Sequence, residues 1–246
     1  MFCQGEHLAG VFDAAQPKKG ATLEAWYPYA VFFHLLLFVV WLGGDIGVFL
    51  LGQNFRRRAS WSLEQRLALL KMLVVVDLAP RIAWALMIPA SLTLLQFGRW
   101  WLIGWPALAA AWVAGLWWSW FVLASHARGP SAPPMRISKY LENGLKLAMT
   151  LFYLGLGGWS LATGAPLGAE WLAWKALLFG LIFLAAIMID LRFKAVGPLL
   201  GRLVEEGSSD ATELPLLSAM NRTRRWVLLI YVLLLATAFL GNVKPF

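Results

Sequence analysis

The chain has 246 residues, of which 60% are hydrophobic and 14% are charged, whereas soluble domains are about 45–50% apolar and about 25% charged. Its apolar residues occur in long blocks, so the composition excludes a soluble globular domain and favours an all-α polytopic membrane helix bundle in a lipid bilayer. The formal net charge of +8 does not indicate nucleic-acid binding, because the basic residues lie between the apolar blocks and form no basic helix.

Six apolar blocks predict six transmembrane helices within a single transmembrane domain, residues 1–246. Each block reaches the roughly 20 residues that a helix needs to cross the hydrocarbon. The predicted spans are approximately 27–52, 68–97, 101–124, 140–164, 171–191 and 225–242. The second span contains Pro80 and Pro89, so we expect it to be kinked and tilted. Between the last two spans, residues 192–224 have an acidic, polar centre that predicts a mobile cytoplasmic connector.

The basic residues predict the orientation of the spans, because short cytoplasmic loops carry an excess of Lys and Arg. One side of the membrane would hold Arg56, Arg57, Arg58, Arg66, Arg128, Arg136, Lys139, Arg192, Lys194, Arg202, Arg222, Arg224 and Arg225. The other side would hold Lys18, Lys19, Arg99 and Lys244. This asymmetry places both termini outside the cytoplasm, and we expect a multi-pass protein of a bacterial-type inner (plasma) membrane.

Three charged residues within the spans form a candidate catalytic or ion-conducting group. Because span one runs inward and span two runs outward, Asp45, Asp77 and Arg81 should lie at comparable depths in the inner half. Asp77 and Arg81 share one helix face. A charge in the hydrocarbon costs at least about 2.5–3.5 kcal/mol, so such residues need a partner or a function. Two interpretations stay open, an interhelical clamp and a proton relay or ion site.

The remaining polar residues of the spans have simpler explanations, except for His34. Glu142 and Lys146 are spaced to pair along one helix, and Asp190 lies beside Arg192 at the inner end of span five. His34 lies about 10 Å inside the outer end of span one, at 1.5 Å per residue. Its imidazole is either satisfied by one hydrogen bond or is a ligand of a metal or haem iron.

Glycines cluster around Asp45 in span one. Gly43 and Gly47 have the small-xxx-small spacing that lets two helices approach closely, and Gly44 lies between them. We therefore expect close packing at this level of span one, which would also suit the flat face of a macrocycle.

Two segments of the chain are similar to known membrane proteins. The run from His34 through Trp41 to Gly43 and Gly44, H-LLLFVV-W-L-GG, resembles the first conserved helix of HemJ-type protoporphyrinogen oxidases and of the copper-resistance protein D (CopD) family. The segment WLAWKALLFG, which contains Lys175, is similar to the W-L-x-x-K-L segment of HemJ-type proteins. The resemblance implies haem b with His34 as the iron ligand, Lys175 near the iron or a propionate, and Trp41 along the haem face.

The leading expectation is an inner-membrane redox protein that binds haem b near the outer face and exchanges electrons with a membrane partner or a small substrate. His34 and Lys175 both fall a few residues inside the outer face, so they could flank one site. The first alternative is a copper, ion or proton permease that uses Asp45, Asp77 and Arg81. The second alternative is an accessory subunit that packs against another membrane subunit or a second copy of itself. Met72, Met87 and Met149 lack the short repeated spacing of a copper relay and are interpreted as packing residues.

Overall fold

The computed structural model describes the backbone of residues 19–128 and 133–246, and side chains from 24 to 127 and from 139 to 246. These residues form eight helices and no strand. The helices are α1 (Lys19–Phe55), α2 (Leu63–Val76), α3 (Leu78–Phe97), α4 (Trp105–Arg128), α5 (Pro133–Thr163), α6 (Glu170–Phe193), α7 (Val196–Glu206) and α8 (Asp210–Val243). Six helical stretches are long and apolar enough to cross a membrane. The predicted all-α polytopic bundle of about six spans is therefore confirmed.

The second predicted span is a broken helix, interrupted at Asp77 between α2 and α3. Pro80 has no N–H to donate to the Val76 carbonyl, so the helical hydrogen-bond ladder is interrupted there. The interruption lies where we predicted a kink. Pro89 lies inside α3 without ending the helix.

The segment predicted to be a mobile connector is helical over most of its length. It contains all of α7 and the beginning of α8, which starts at Asp210 rather than near residue 225. Ser209 starts α8 through a capping box with Thr212. The helices form because their apolar residues are buried together: Leu203 of α7 and Leu216 of α8 pack in one cluster with Phe55 at the end of α1. Because the centre of segment 192–224 is polar, its composition did not predict that Leu203 and Leu216 are buried.

The spans form two groups of three, each built on a central helix. In the first group α3 contacts α1 and α4, and in the second group α6 contacts α5 and α8. The beginning of α1 and the end of α8 meet at one end of the bundle, where Tyr27 and Asn242 line the same cavity. We call this end the terminal face. The opposite end, which carries the connections at residues 56–62 and 194–209, is the loop face.

The first span packs closely on the second at the predicted glycine cluster, but the contact is made by Gly44 and Gly47 and not by the predicted pair of Gly43 and Gly47. A Cβ atom on Gly44 would lie 2.8 Å from Pro80 Cδ, and one on Gly47 would lie 3.5 Å from Val76 Cγ1. A Cβ atom on Gly43 would meet nothing within 4 Å. The helix crossing therefore uses Gly44 and Gly47, and it positions the Asp45 level of α1 beside the broken span.

Candidate functional site

A cavity of about 390 Å³ lies between the two helix groups at the terminal face. This volume is within the range of about 300–1,000 Å³ that is usual for small-molecule sites. The cavity is lined by α1, α3, α5, α6 and α8, and its walls are mainly apolar and aromatic. The aromatic residues are Tyr27, Phe38, Trp41, Trp100, Tyr153, Trp171 and Phe179. We call it the terminal cavity.

His34 contributes an unsatisfied polar atom to the terminal cavity. Its Nδ1 atom is buried, and no hydrogen-bond partner is found for it among the described residues. Phe38 and Trp41 follow at helical spacing on the same side of α1 and line the same cavity. An unpaired buried polar group costs about 1–3 kcal/mol. Among the described residues, Nδ1 of His34 is therefore left without a partner at the wall of the cavity.

Two lysines line the terminal cavity without a carboxylate partner. Among the described residues, no carboxylate oxygen lies within 4.0 Å of the Nζ atom of Lys175 or of Lys244. Lys175 packs against α8 at Gly241, where a Cβ atom would lie 2.5 Å from Lys175 Nζ. The Lys244 ammonium lies 5.3 Å from the ring centroids of both Trp100 and Trp171, in cation–π contact. The cavity therefore combines aromatic walls with two positive charges that favour an anionic group.

Four aromatic residues pack together between the terminal cavity, which Trp41 and Phe179 line, and the middle of the bundle. The ring centroids of Trp41 and Trp84 are 6.0 Å apart, and those of Trp84 and Phe183 are 5.0 Å apart. The ring centroid of Phe179 lies 5.3 Å from that of Phe183 and 6.4 Å from that of Trp41, so the four rings form a closed set of contacts. We call these residues the aromatic layer. It joins α1, α3 and α6, and hence it is shared by the two helix groups.

A second cavity, of about 140 Å³, lies on the loop-face side of the aromatic layer. Its charged lining residues are Asp45, Arg81, Glu142, Lys146 and Asp190, and Trp41 lines both cavities. We call it the charged cavity. The Nζ atom of Lys146 lies 2.8 Å from Glu142 Oε1 and 2.8 Å from Asp190 Oδ2. The predicted pairing of Glu142 with Lys146 is confirmed, and Asp190 also pairs with Lys146.

The three charged residues proposed from spans one and two lie near each other but are not equivalent. Arg81 Nε donates to Asp77 Oδ2 one turn earlier on the same span. Asp45 shares the charged cavity with Arg81, yet no basic nitrogen of the described residues lies within 4.0 Å of its carboxylate. The Asp45 backbone carbonyl accepts a hydrogen bond of 2.7 Å from the Tyr231 hydroxyl of α8. Asp77 and Arg81 thus form a pair, and Asp45 is left without a counter-ion.

The structure brings His34, Trp41 and Lys175 to the terminal cavity. The depths of His34 and Lys175 in their spans had suggested a shared site, and the cavity also contains residues that the sequence did not indicate. Two of these residues are Lys244 and Tyr153. From the sequence, Lys244 is a basic residue outside the spans, and Tyr153 does not differ from the other aromatic residues of the fourth span. The recruitment of Glu142, Lys146 and Asp190 to the Asp45 level depends on which faces of α5 and α6 turn inward. The positions of the apolar blocks in the sequence do not show how each helix is rotated about its own axis.

The terminal cavity offers a ligand one unpaired imidazole nitrogen, aromatic walls and two ammonium groups. Among the described residues there is no group of three or more His, Cys, Asp and Glu side chains that could hold a metal. The unpaired imidazole nitrogen, the aromatic walls and the two ammonium groups could bind a ligand that has an aromatic ring and anionic substituents. No protein-family model, no curated protein and no solved structure matches this chain.

Proposed function

We propose that the protein is a membrane redox protein of a bacterial-type inner membrane that holds haem b in the terminal cavity. His34 would be the iron ligand, and the protein would exchange electrons with a membrane partner or a small substrate. The observation that carries this proposal is the buried, unpartnered Nδ1 of His34 in an aromatic cavity. The similarity of the His34–Gly44 segment to HemJ-type and CopD proteins, and of the Trp171–Gly180 segment to HemJ-type proteins, supports it.

Haem b would supply one-electron chemistry, and this chain's own residues would hold and tune it. A neutral imidazole is a good iron ligand. Trp41 is held by its ring contacts with Trp84 and Phe179, so it offers a fixed wall for the ring face. A dry, aromatic environment also affects the redox potential of a haem, together with the axial ligand.

Lys175 and Lys244 would bind the two propionate carboxylates. Charge-assisted hydrogen bonds are stronger than neutral ones, and an apolar environment increases their electrostatic contribution. Lys175 comes from α6, and Lys244 follows the end of α8. Trp100, Trp171 and Lys244 pack together at the terminal face, which would help to exclude water from the bound group.

The test is the visible spectrum of the detergent-purified protein from haem-replete cells, oxidised and then reduced with dithionite. We expect a Soret band, and sharp α and β bands on reduction. His34→Ala should abolish these bands. His126→Ala is the matched control, because His126 lies near the loop face of α4 and is exposed. A colourless wild-type protein, or a His34→Ala protein with an unchanged spectrum, would contradict the proposal.

Lys175→Met tests the role proposed for the ammonium groups. It keeps a long apolar side chain and removes one charge from the cavity, so we expect haem to bind more weakly while the band positions of the bound form stay the same. The measurement is haem titration of the apoprotein. An affinity equal to that of the wild-type protein would show that Lys175 does not contact a propionate.

A proton or ion permease is the second candidate, and the charged cavity favours it because Asp45 and Arg81 meet there. It predicts no absorbing cofactor, and loss of transport into proteoliposomes on Asp45→Asn or Asp77→Asn. The copper variant has less support. Met72 is largely exposed, and of the described methionines only Met87 lines the terminal cavity.

A further inference from the structure

Asp45 differs from Asp77, Glu142 and Asp190 because each of those three carboxylates has a basic nitrogen within 4.0 Å. Lys146 is shared by Glu142 and Asp190, and Arg81 is paired with Asp77. Within the described residues, no basic nitrogen lies within 4.0 Å of Asp45. The polar group that interacts with its carboxylate is the Trp41 indole, one turn earlier on α1.

The surroundings of Asp45 are negatively charged overall. The charged and titratable groups that face it are Asp77 and Arg81 on the broken span, Glu142 and Lys146 on α5, Asp190 on α6, and Tyr231 on α8. Lys146 and Arg81 supply two positive charges, against four carboxylates when Asp45 is included. Since a charge without a counter-ion is costly inside the hydrocarbon, binding a proton is the simplest way for Asp45 to be accommodated.

The charged cavity gives water a route to this carboxylate. A water molecule needs about 10–15 Å³ of accessible space, so the charged cavity has room for several. Its lining includes Asp190, whose side chain is 42% exposed. Trp84 Nε1 is a buried donor on the same cavity and has no partner among the described residues, so it could donate to a water molecule there. Trp41 and Trp84 of the aromatic layer line the other end of the cavity.

We propose that Asp45 is a proton-binding residue whose carboxyl group exchanges its proton with the loop face through the charged cavity. The reaction is a simple acid–base exchange, in which a hydronium ion gives its proton to the carboxylate and leaves a water molecule. Asp77, Arg81, Glu142, Lys146 and Asp190 keep their ion pairs and set the field around the exchanging group. The proposal does not require a haem in the terminal cavity.

Infrared spectroscopy of the protein in lipid nanodiscs tests whether Asp45 is protonated. A protonated carboxylic acid has a C=O stretch that the ionised form lacks. We expect this band to disappear as the pH is raised, to move when the five aspartates of the chain are labelled with ¹³C at the carboxyl carbon, and to be lost in Asp45→Asn. Asp190→Asn should retain the band, because Asp190 has Lys146 as its counter-ion.

The same band reports the side from which the proton arrives. In proteoliposomes, Ser60→Cys in a Cys3→Ser background marks the loop face for an impermeant maleimide, since Ser60 is exposed and Cys3 is the single cysteine. We expect a pH step on the labelled side to change the band and a step on the opposite side to leave it unchanged.

Three results would overturn the proposal. They are the absence of a pH-dependent carboxyl band, a band that survives in Asp45→Asn, and a band that responds only to the terminal side. If Asp45→Asn does not fold, Asp45→Glu replaces it. In that variant the band should lose its sensitivity to labelled aspartate and become sensitive to labelled glutamate, and a band that stays sensitive to aspartate would equally contradict the assignment.

Discussion

The Arg66–Glu213 pair joins the loop-face ends of three helices, and its removal should strongly destabilise this end of the protein. Arg66 of α2 donates to both carboxylate oxygens of Glu213 on α8, at 2.5 and 2.9 Å. Its Nε also donates to the carbonyl of Phe55 at the end of α1, at 2.5 Å. The two side chains are 1% and 0% exposed. We choose Glu213→Gln and Arg66→Met as the perturbations.

The expected cost follows from this burial. Breaking a buried ion pair by removing one partner leaves the other charge uncompensated and costs about 3–5 kcal/mol. Glu213 also accepts a hydrogen bond of 2.8 Å from Ser208, which the amide oxygen of Glu213→Gln can still accept. The double variant Arg66→Met, Glu213→Leu leaves no unpaired charge but loses the hydrogen bonds to Ser208 and to the Phe55 carbonyl, so it should cost less than either single variant without reaching the wild-type free energy of unfolding.

The assay is reversible unfolding in mixed micelles, with a double-mutant cycle to isolate the pairwise term. Arg202 and Glu206 provide a matched control. They are spaced one turn apart on α7 and their side chains are 53% and 50% exposed, so solvent screens the pair and Glu206→Gln should change the free energy of unfolding very little. If Glu213→Gln costs no more than Glu206→Gln, the claim that this buried pair holds the loop face together is wrong.

Two glycine substitutions test the packing around the cavities. Gly44→Ala places a Cβ atom 2.8 Å from the rigid ring of Pro80 and should lower the free energy of unfolding by about 1–3 kcal/mol. Gly43→Ala is the control, because its Cβ atom meets nothing within 4 Å. It should be neutral or stabilise α1 by about 0.5–1 kcal/mol. Gly241→Ala would displace the Lys175 ammonium, 2.5 Å from the new atom, and should weaken haem binding in a titration of the apoprotein. Gly197→Ala, with open space around it, should leave that affinity unchanged.

The six spans could be predicted from the sequence because hydrocarbon thickness sets a minimum length for an apolar block. A kink in the second span could be predicted as well, since each of its two prolines removes a backbone donor, but the helix is interrupted at Asp77, before Pro80, and continues through Pro89. The beginning of α8 could not be located in this way. Leu216 and Ala219 have helical spacing and are fully buried against α7, but polar residues surround them, so the average polarity of the segment predicted a connector.

The sequence could predict which residues share a cavity only where their depth in the membrane is sufficient to bring them to the same level. His34 and Lys175 are each a few residues inside the same face, and they line one cavity. Asp45 and Arg81 were likewise predicted to lie at the same depth, and they line one cavity. Whether two charges pair depends on helix rotation and distance, which hydropathy does not report. Lys146 lies between Glu142 and Asp190 because α5 and α6 pack together, a contact between spans that their apolar composition leaves undetermined.

The two cavities can be tested independently because the aromatic layer separates their polar groups. His34 and Asp45 are eleven residues apart on α1, about 16 Å along a helix axis, and Trp41 is the α1 side chain common to both linings. A substitution at His34 should therefore remove the haem spectrum and leave the Asp45 carboxyl band in place, and Asp45→Asn should do the reverse. If the haem redox potential also depends on pH in the wild-type protein and not in Asp45→Asn, the proton and the electron are coupled across Trp41. An identical pH dependence in both proteins would instead show that the charged cavity acts separately from the redox site.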